Sequence, residues 1–181
     1  LVVLLGLLAG DLGVGQRGAP EVVHRRGPAE DLLDGTIELA VDVAGELDGP
    51  QYSRLSYFHQ VPVIDDDGFV VGESGAILLY LADKAGKLIP ADLSGRTEVV
   101  QWCFATIATV ERPLFEMSMI GIGVRGPGAH DGLASLRKEA GRWLDGLERR
   151  LEGREWIACD AFTVADILLA SVLRAEREAD L

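Results

Sequence analysis

The stretch from Val61 to Gly86 limits the possible folds more than any other part of the chain. Val61–Ile64 is a short apolar run that reads as a strand, and Phe69–Val71 is a second one. Between them stand Asp65-Asp66-Asp67-Gly68, where glycine supplies the positive φ that a tight turn needs. Two runs this close pair as an antiparallel β-hairpin. A helix is expected at once afterwards. Ser74 suits its N-terminus; Ile77, Leu78, Leu81 and Ala82 form one apolar face; Gly86 suits its C-terminal stop.

Upstream, Thr36–Val43 reads as a strand with partial alternation, followed by a loop over Gly45–Pro50. Residues 1–35 are rich in Gly, Leu, Val and Arg and lack a clear period. Leu1–Ala9 is apolar except for Gly6 but too short to span a bilayer, and no Met or basic leader precedes it. It is expected to be a buried strand or a fragment boundary. Downstream, Lys87–Asp92 contains Pro90 and marks a domain boundary, with a linker over 87–95.

Beyond the linker every signal is helical. From Arg96, the residues Val99, Val100, Cys103, Phe104, Ile107 and Val110 make a broad apolar stripe, which Pro113 should kink or end. Gly121–Gly132 is a glycine-rich break. Leu133, Leu136, Ala140, Trp143, Leu144, Leu147 and Leu151 then recur at steps of three and four. Thr163-Val164-Ala165-Asp166 has the pattern of a capping box: Thr163 would accept from the Asp166 amide, and Asp166 from the Thr163 amide. Phe162 and Ile167 fit a hydrophobic staple. The face formed by Ile167, Leu168 and Val172 needs cover, and the chain ends at Leu181 without a C-cap, so the helical domain, 96–181, is expected to be incomplete.

Charge and composition exclude several classes. The chain carries 17 Lys and Arg against 29 Asp and Glu, a net charge of −12. That opposes both nucleic acid and anionic membrane as partners, because each requires clustered cations. The two cysteines, Cys103 and Cys159, sit in apolar sequence without a CxxC pair and read as buried free thiols. His24, His59 and His130 are far apart and give no metal-ligand spacing, so no metal is expected.

Taken together, Gln60-Val61-Pro62-Val63-Ile64, Asp65-Asp66-Asp67-Gly68-Phe69, Glu73-Ser74-Gly75-Ala76-Ile77 and Tyr80-Leu81 resemble the glutathione-binding half of the glutathione S-transferase N-terminal domain. Trp156–Ile167 resembles the capping-box helix of that family's C-terminal domain. The resemblance implies an α/β thioredoxin-like N-terminal domain over 1–86, followed by an all-α C-terminal helical domain. It implies that Pro62 is preceded by a cis bond and that Val61 pairs with the cysteinyl unit of glutathione as an added strand would. The alternative is that Pro62 only shapes a turn. Glu73 would meet the ligand ammonium, and Ser74, at a helix N-terminus, would hold the γ-glutamyl carboxylate; the alternative for Ser74 is a plain N-cap. Gln60 resembles the family's contact to the tripeptide backbone. His59 reads as exposed. Ser56-Tyr57 stand where many relatives carry Asn-Pro, a change expected to alter the loop more than the pocket.

The resemblance breaks down at the reactive group. The family activates the glutathione thiol with a hydroxyl or thiol near strand one, and a hydrogen bond to sulfur favours the nucleophilic thiolate. Residues 1–35 contain no Ser, Thr, Tyr or Cys. Leu1–Leu5 could be that strand and Ala29–Leu33 the end of the following helix, but Gly10–Pro28 is a poor helix. Tyr52, Ser53 and Tyr57 lie in the wrong segment for the role. Three explanations compete: residues 1–35 are foreign sequence, backbone amides or Arg17 stabilise the thiolate, or the protein only binds. No catalytic residue is assigned.

The implied function is conjugation or isomerisation of a small hydrophobic electrophile with glutathione as co-substrate, in a cytoplasmic homodimer serving detoxification. Trp102, Arg112, Phe115 and Met119 would line the electrophile site, and plain helix packing is the competing role for each. The alternative function is a non-catalytic binding or assembly module on the same fold. A thiol–disulfide oxidoreductase would need an N-terminal cysteine, which is absent.

Overall fold

The structure is a computed structural model that describes residues 37–40, 52–66, 68–121 and 123–178. The expectations for Leu1–Ala9, Gly10–Pro28, Ala29–Leu33 and Gly45–Pro50 fall outside those residues, as do Arg17 and His24. The chain divides into two compact units, 1–86 and 87–181. The architecture is an N-terminal thioredoxin-like domain with a small sheet and helix, and a helical C-terminal domain.

In the first unit, β1 (Ile37–Ala40), β2 (Val63–Asp66) and β3 (Phe69–Gly72) form an antiparallel sheet in the order β1-β2-β3. Of the expected strand Thr36–Val43, residues 37–40 are described, and they form β1. β2 begins two residues later than expected and takes in Asp65 and Asp66, because Asp66 pairs with Phe69 and leaves only Asp67-Gly68 for the turn. Gly68 has φ 89°, which a side chain would disfavour, and its amide donates to Asp65 Oδ1 at 2.7 Å. Helix α1 (Ser74–Ala85) then buries Ile77, Leu78 and Ala82, and Gly86 closes it in the left-handed conformation at φ 64°.

In the second unit, α2 (Leu93–Ala105) starts three residues before Arg96. Asp92 is its N-cap, and the carboxylate accepts from Gly95 N at 2.9 Å. The buried line of this helix and of the π-helical stretch that continues it (Thr106–Glu111) is Val99, Cys103, Thr106 and Val110, whereas Phe104 is 68% exposed and Val100 and Ile107 are half-buried. The expected stripe was too broad. Thr106 belongs in the core because its hydroxyl donates to Trp102 O at 2.8 Å, which satisfies the group without water. Pro113 does not end the helix. Thr106–Glu111 forms a π-helical stretch, and α3 (Arg112–Gly121) continues from it. A proline ring clashes with the carbonyl four residues earlier and donates nothing; the wider turn accommodates both facts.

A 3-10 stretch over Pro127–Gly132 leads to α4 (Leu133–Leu151), which packs chiefly on α3. Only Ala140 and Leu147 of its expected stripe are fully buried; Trp143 and Leu144 remain 38% exposed. The buried seam is one heptad line, narrower than the apolar periodicity suggested. Helix α5 (Val164–Glu178) packs on α2 and the π-helical stretch, which covers Ile167, Leu168 and Val172. The cover expected to be missing from these three residues is therefore present.

The start of α5 departs from the reciprocal capping box in one arm. Asp166 Oδ2 accepts from the Thr163 amide at 2.8 Å, as expected. The Thr163 hydroxyl, however, donates to the same carboxylate at 3.1 Å, and the Asp166 amide goes to the Thr163 carbonyl. The other carboxylate oxygen accepts from Ile157 N at 2.8 Å, tying the preceding loop to the helix. Phe162 rests on Trp156, with ring centroids 4.9 Å apart. Asp166→Ala would orphan three donors, so it should lower unfolding free energy by about 2–4 kcal/mol. Urea denaturation of the full chain checks this; a loss under about 0.5 kcal/mol would contradict it.

Candidate functional site

The hairpin register creates the site. Val63 pairs with Gly72, so the residues just before β2 and just after β3 emerge at the same end of the sheet. Val61-Pro62 and Glu73-Ser74 are those residues. The Val61–Pro62 bond is cis, as the resemblance implied. Pro62 is buried, Val61 half-buried and Gln60 exposed, so the chain rises toward solvent as it leaves the sheet.

On the opposite side of this end, α1 begins at Ser74. The alternative that Ser74 is a plain N-cap does not hold: Ser74 is the first helical residue, and the flanking cap position belongs to Glu73. Glu73 makes no side-chain cap hydrogen bond and has φ 70°, ψ 125°. Positive φ is uncommon outside glycine and costs free energy, so its presence here points to a functional constraint. The first helical bond runs from Ile77 N to Glu73 O at 2.9 Å. The amides of Ser74, Gly75 and Ala76 thus precede the intrahelical ladder, and they carry the positive end of the helix dipole. An exposed acid at Glu73 and a half-buried hydroxyl at Ser74 stand beside them. Such a group can receive an amino acid zwitterion, with its carboxylate on the amides and its ammonium on the acid.

Two supports of this arrangement were not read from the sequence. The first is the Gln60 backbone, whose carbonyl accepts from Tyr52 OH at 2.6 Å and from Ser56 Oγ at 3.1 Å. The second is Asp66 on β2, whose buried carboxylate accepts from Tyr80 OH and from Lys84 Nζ, both on α1. Phe69 packs on the Tyr80 ring at 5.4 Å. The only available signal was the i, i+4 spacing of Tyr80 and Lys84, and that spacing does not name an acceptor. The hydrogen bond from Lys84, then that from Tyr80, hold the Asp66 carboxyl below its ordinary value. His59, expected to be exposed, is half-buried with φ 54°.

The four candidate electrophile residues are strung out along the second unit. Trp102 lies under the Arg150 guanidinium, 5.5 Å from its centroid, and Arg150 also pairs with Glu98. Arg112 pairs with Glu139 at 3.7 Å. Glu139 and Arg150 are about 16 Å apart along α4 at the helical rise. Phe115 is exposed and Met119 half-buried.

Burial disfavours the thiolate of both cysteines. Burial pushes the Cys103 thiol up to about 11. Cys159 is half-buried rather than buried; its Sγ donates to Gly95 O at 3.2 Å, and burial and nearby Glu98 raise its pKa. A raised pKa suppresses the thiolate. Among the described residues, no group of three or more His, Cys, Asp or Glu could hold a metal, and no helix is long and apolar enough to cross a membrane.

Comparison with known proteins finds relatives over both units of the chain. Residues 36–83 match the family model "Glutathione S-transferase, N-terminal domain", and residues 128–181 match "Glutathione S-transferase, C-terminal domain". Glutathione S-transferase D7 of Drosophila melanogaster is 31% identical over 132 residues, which is 70% of this chain and 57% of the relative. A glutathione transferase from Burkholderia graminis, solved with two glutathione molecules per subunit, superimposes with TM-score 0.66 at 34% identity, covering 73% of this chain and 58% of that one. One from Pseudomonas putida, solved with one glutathione disulfide per subunit, gives TM-score 0.67 at 27% identity, covering 74% and 60%. The chain belongs to the glutathione S-transferase family. It spans about 57% of the length of the curated relative it matches.

The Asp66 cluster makes a prediction about pH. A carboxyl held below its ordinary value of 3.8 in the folded state stabilises fully above that value. The contribution disappears as pH falls through the lower, folded-state value. The unfolding free energy of the natural chain should therefore drop more steeply between about pH 5 and pH 2 than that of Asp66→Asn, by about 1–2 kcal/mol. Urea titrations at both ends of that window check this, and parallel pH profiles for the two chains would contradict it.

Proposed function

We propose that this chain binds glutathione at the end of the sheet where Val61 and Ser74 emerge together. The γ-glutamyl carboxylate sits on the Ser74 and Gly75 amides and the Ser74 hydroxyl, its ammonium faces Glu73, and the cysteinyl backbone pairs with Val61. Gln60 reaches the tripeptide backbone. The observation that carries this reading is the uncapped helix start at Ser74, next to a strained acidic residue and in register with Val61. Solved relatives that hold glutathione or its disulfide support the same ligand class.

The reaction we propose is transfer of the glutathione thiol to a small hydrophobic electrophile, or a glutathione-dependent isomerisation. The peptide end of the ligand is positioned by backbone pairing and charge, and the sulfur must then be held as thiolate. Arg112, Phe115 and Met119, all on α3, are the side chains proposed to meet the electrophile, and Trp102, held under Arg150, is proposed to border that site from a distance. A cytoplasmic homodimer with a detoxifying role is the setting proposed for this activity.

A second reading has a specific observation behind it. Residues 1–35 lack every side chain that the family uses to activate sulfur. On that reading the chain is a binding module that retains the peptide site without turnover. Chromatography on immobilised glutathione, followed by a conjugation assay with a generic aryl halide, separates the two. Retention with turnover supports the enzyme, retention without turnover supports the module, and no retention contradicts both.

The binding site itself is tested by substitution. Ser74→Ala and Glu73→Gln should each weaken glutathione binding by about tenfold or more, with little change in melting temperature. Calorimetric titration checks this; unchanged affinity in both variants would contradict the assignment.

A further inference from the structure

The Gln60 backbone is held on both of its polar groups. Ser56 Oγ accepts from Gln60 N at 3.1 Å and donates to Gln60 O at 3.1 Å, while Tyr52 OH donates to the same carbonyl at 2.6 Å. Ser56 is buried at 7% exposure, so its hydroxyl has little water to exchange for these bonds. A short 3-10 turn over Tyr52–Arg54 presents both hydroxyls, with the Leu55 and Ser56 amides bonded back to Tyr52 O at 2.8 and 2.9 Å.

The Gln60 carbonyl and the Val61 N–H belong to one planar peptide unit. In a trans unit the two groups point in opposite directions. Holding the carbonyl toward Tyr52 and Ser56 therefore aims the Val61 N–H away from them, at a fixed angle. We infer that Tyr52 and Ser56 are positioning residues: they lock the Gln60–Val61 peptide so that the Val61 N–H is pre-aimed at the cysteinyl unit of a peptide ligand. The inference rests on the glutathione reading above and names what makes its strand-like pairing rigid. Preorganisation of this kind adds affinity by removing an ordering cost at the moment of binding. On this inference, Ser56, standing where many relatives carry Asn, acts on the pocket through the Gln60 backbone.

The test uses the full chain and the variants Tyr52→Phe, Ser56→Ala and Ser56→Thr. Tyr52→Phe removes one hydroxyl and keeps the ring, and Ser56→Thr keeps the hydroxyl. Two ligands are titrated by NMR: glutathione, which would pair with Val61, and γ-glutamylmethylamide, which reaches only the Ser74 end. Combining Tyr52→Phe with Ser56→Ala should weaken glutathione binding about tenfold and leave γ-glutamylmethylamide affinity unchanged. Ser56→Thr should restore most of the loss when paired with native Tyr52. Amide hydrogen exchange at Gln60 and Val61 should quicken in the double variant even without ligand. Equal weakening for both ligands would overturn the inference, because a general loss of structure would then explain it. So would unchanged glutathione affinity together with unchanged exchange. If the natural chain binds neither ligand while exchange still quickens, the lock stands and the glutathione reading fails.

Discussion

One backbone pairing, Val63 with Gly72, determines where the proposed glutathione contacts lie. A two-residue turn closes the far end of that hairpin, and Gly68 permits it by taking φ 89°. Slipping the register by one residue would swap the faces of every side chain of β2 and pull the Asp66 carboxylate away from Tyr80 and Lys84. It would also draw Val61 away from the start of α1. The register is well specified because β2 is buried on both faces, with Val63 and Ile64 nearly inaccessible.

The helix must also hold its angle to the strand, and the Asp66 cluster does this. Tyr80 and Lys84 both reach a carboxylate on β2 from successive turns of α1. Ile64 and Asp66 share one face of the strand, so the same face carries the apolar contact and the polar anchor. A buried carboxylate with two donors is costly to break, because removing either donor leaves a buried charge only partly compensated. The helix is thus tied at its far end by Asp66 and at its near end by the short passage through Glu73. Its first amides hold their place without a cap. That arrangement keeps a site for an anion open rather than satisfied from within.

Much of this was legible in the chain itself. The hairpin, its turn, the helix and its glycine stop follow from residue types whose backbone preferences are strong: Asp65 to Gly68, Ser74 and Gly86. The cis bond before Pro62 was available only through resemblance to a family. What escaped the sequence was nonlocal. Tyr52 and Ser56 look like ordinary loop residues until the chain turns back on Gln60, and Asp66 looks like a turn residue until α1 covers it. In the helical unit, periodicity overstated burial at Phe104, Trp143 and Leu144. An amphipathic pattern marks which side faces inward, but the neighbouring helices set how wide the buried strip is. Pro113 was read as a kink or an end of the helix, because the sequence does not signal that a π-helical stretch will precede it.

Diffraction from crystals of this chain grown with saturating glutathione tests the account most directly. The account predicts density for the tripeptide with its γ-glutamyl carboxylate on the Ser74 and Gly75 amides and its cysteinyl backbone paired with Val61. Density for the ligand anywhere else, or an empty sheet end at saturation, would contradict it.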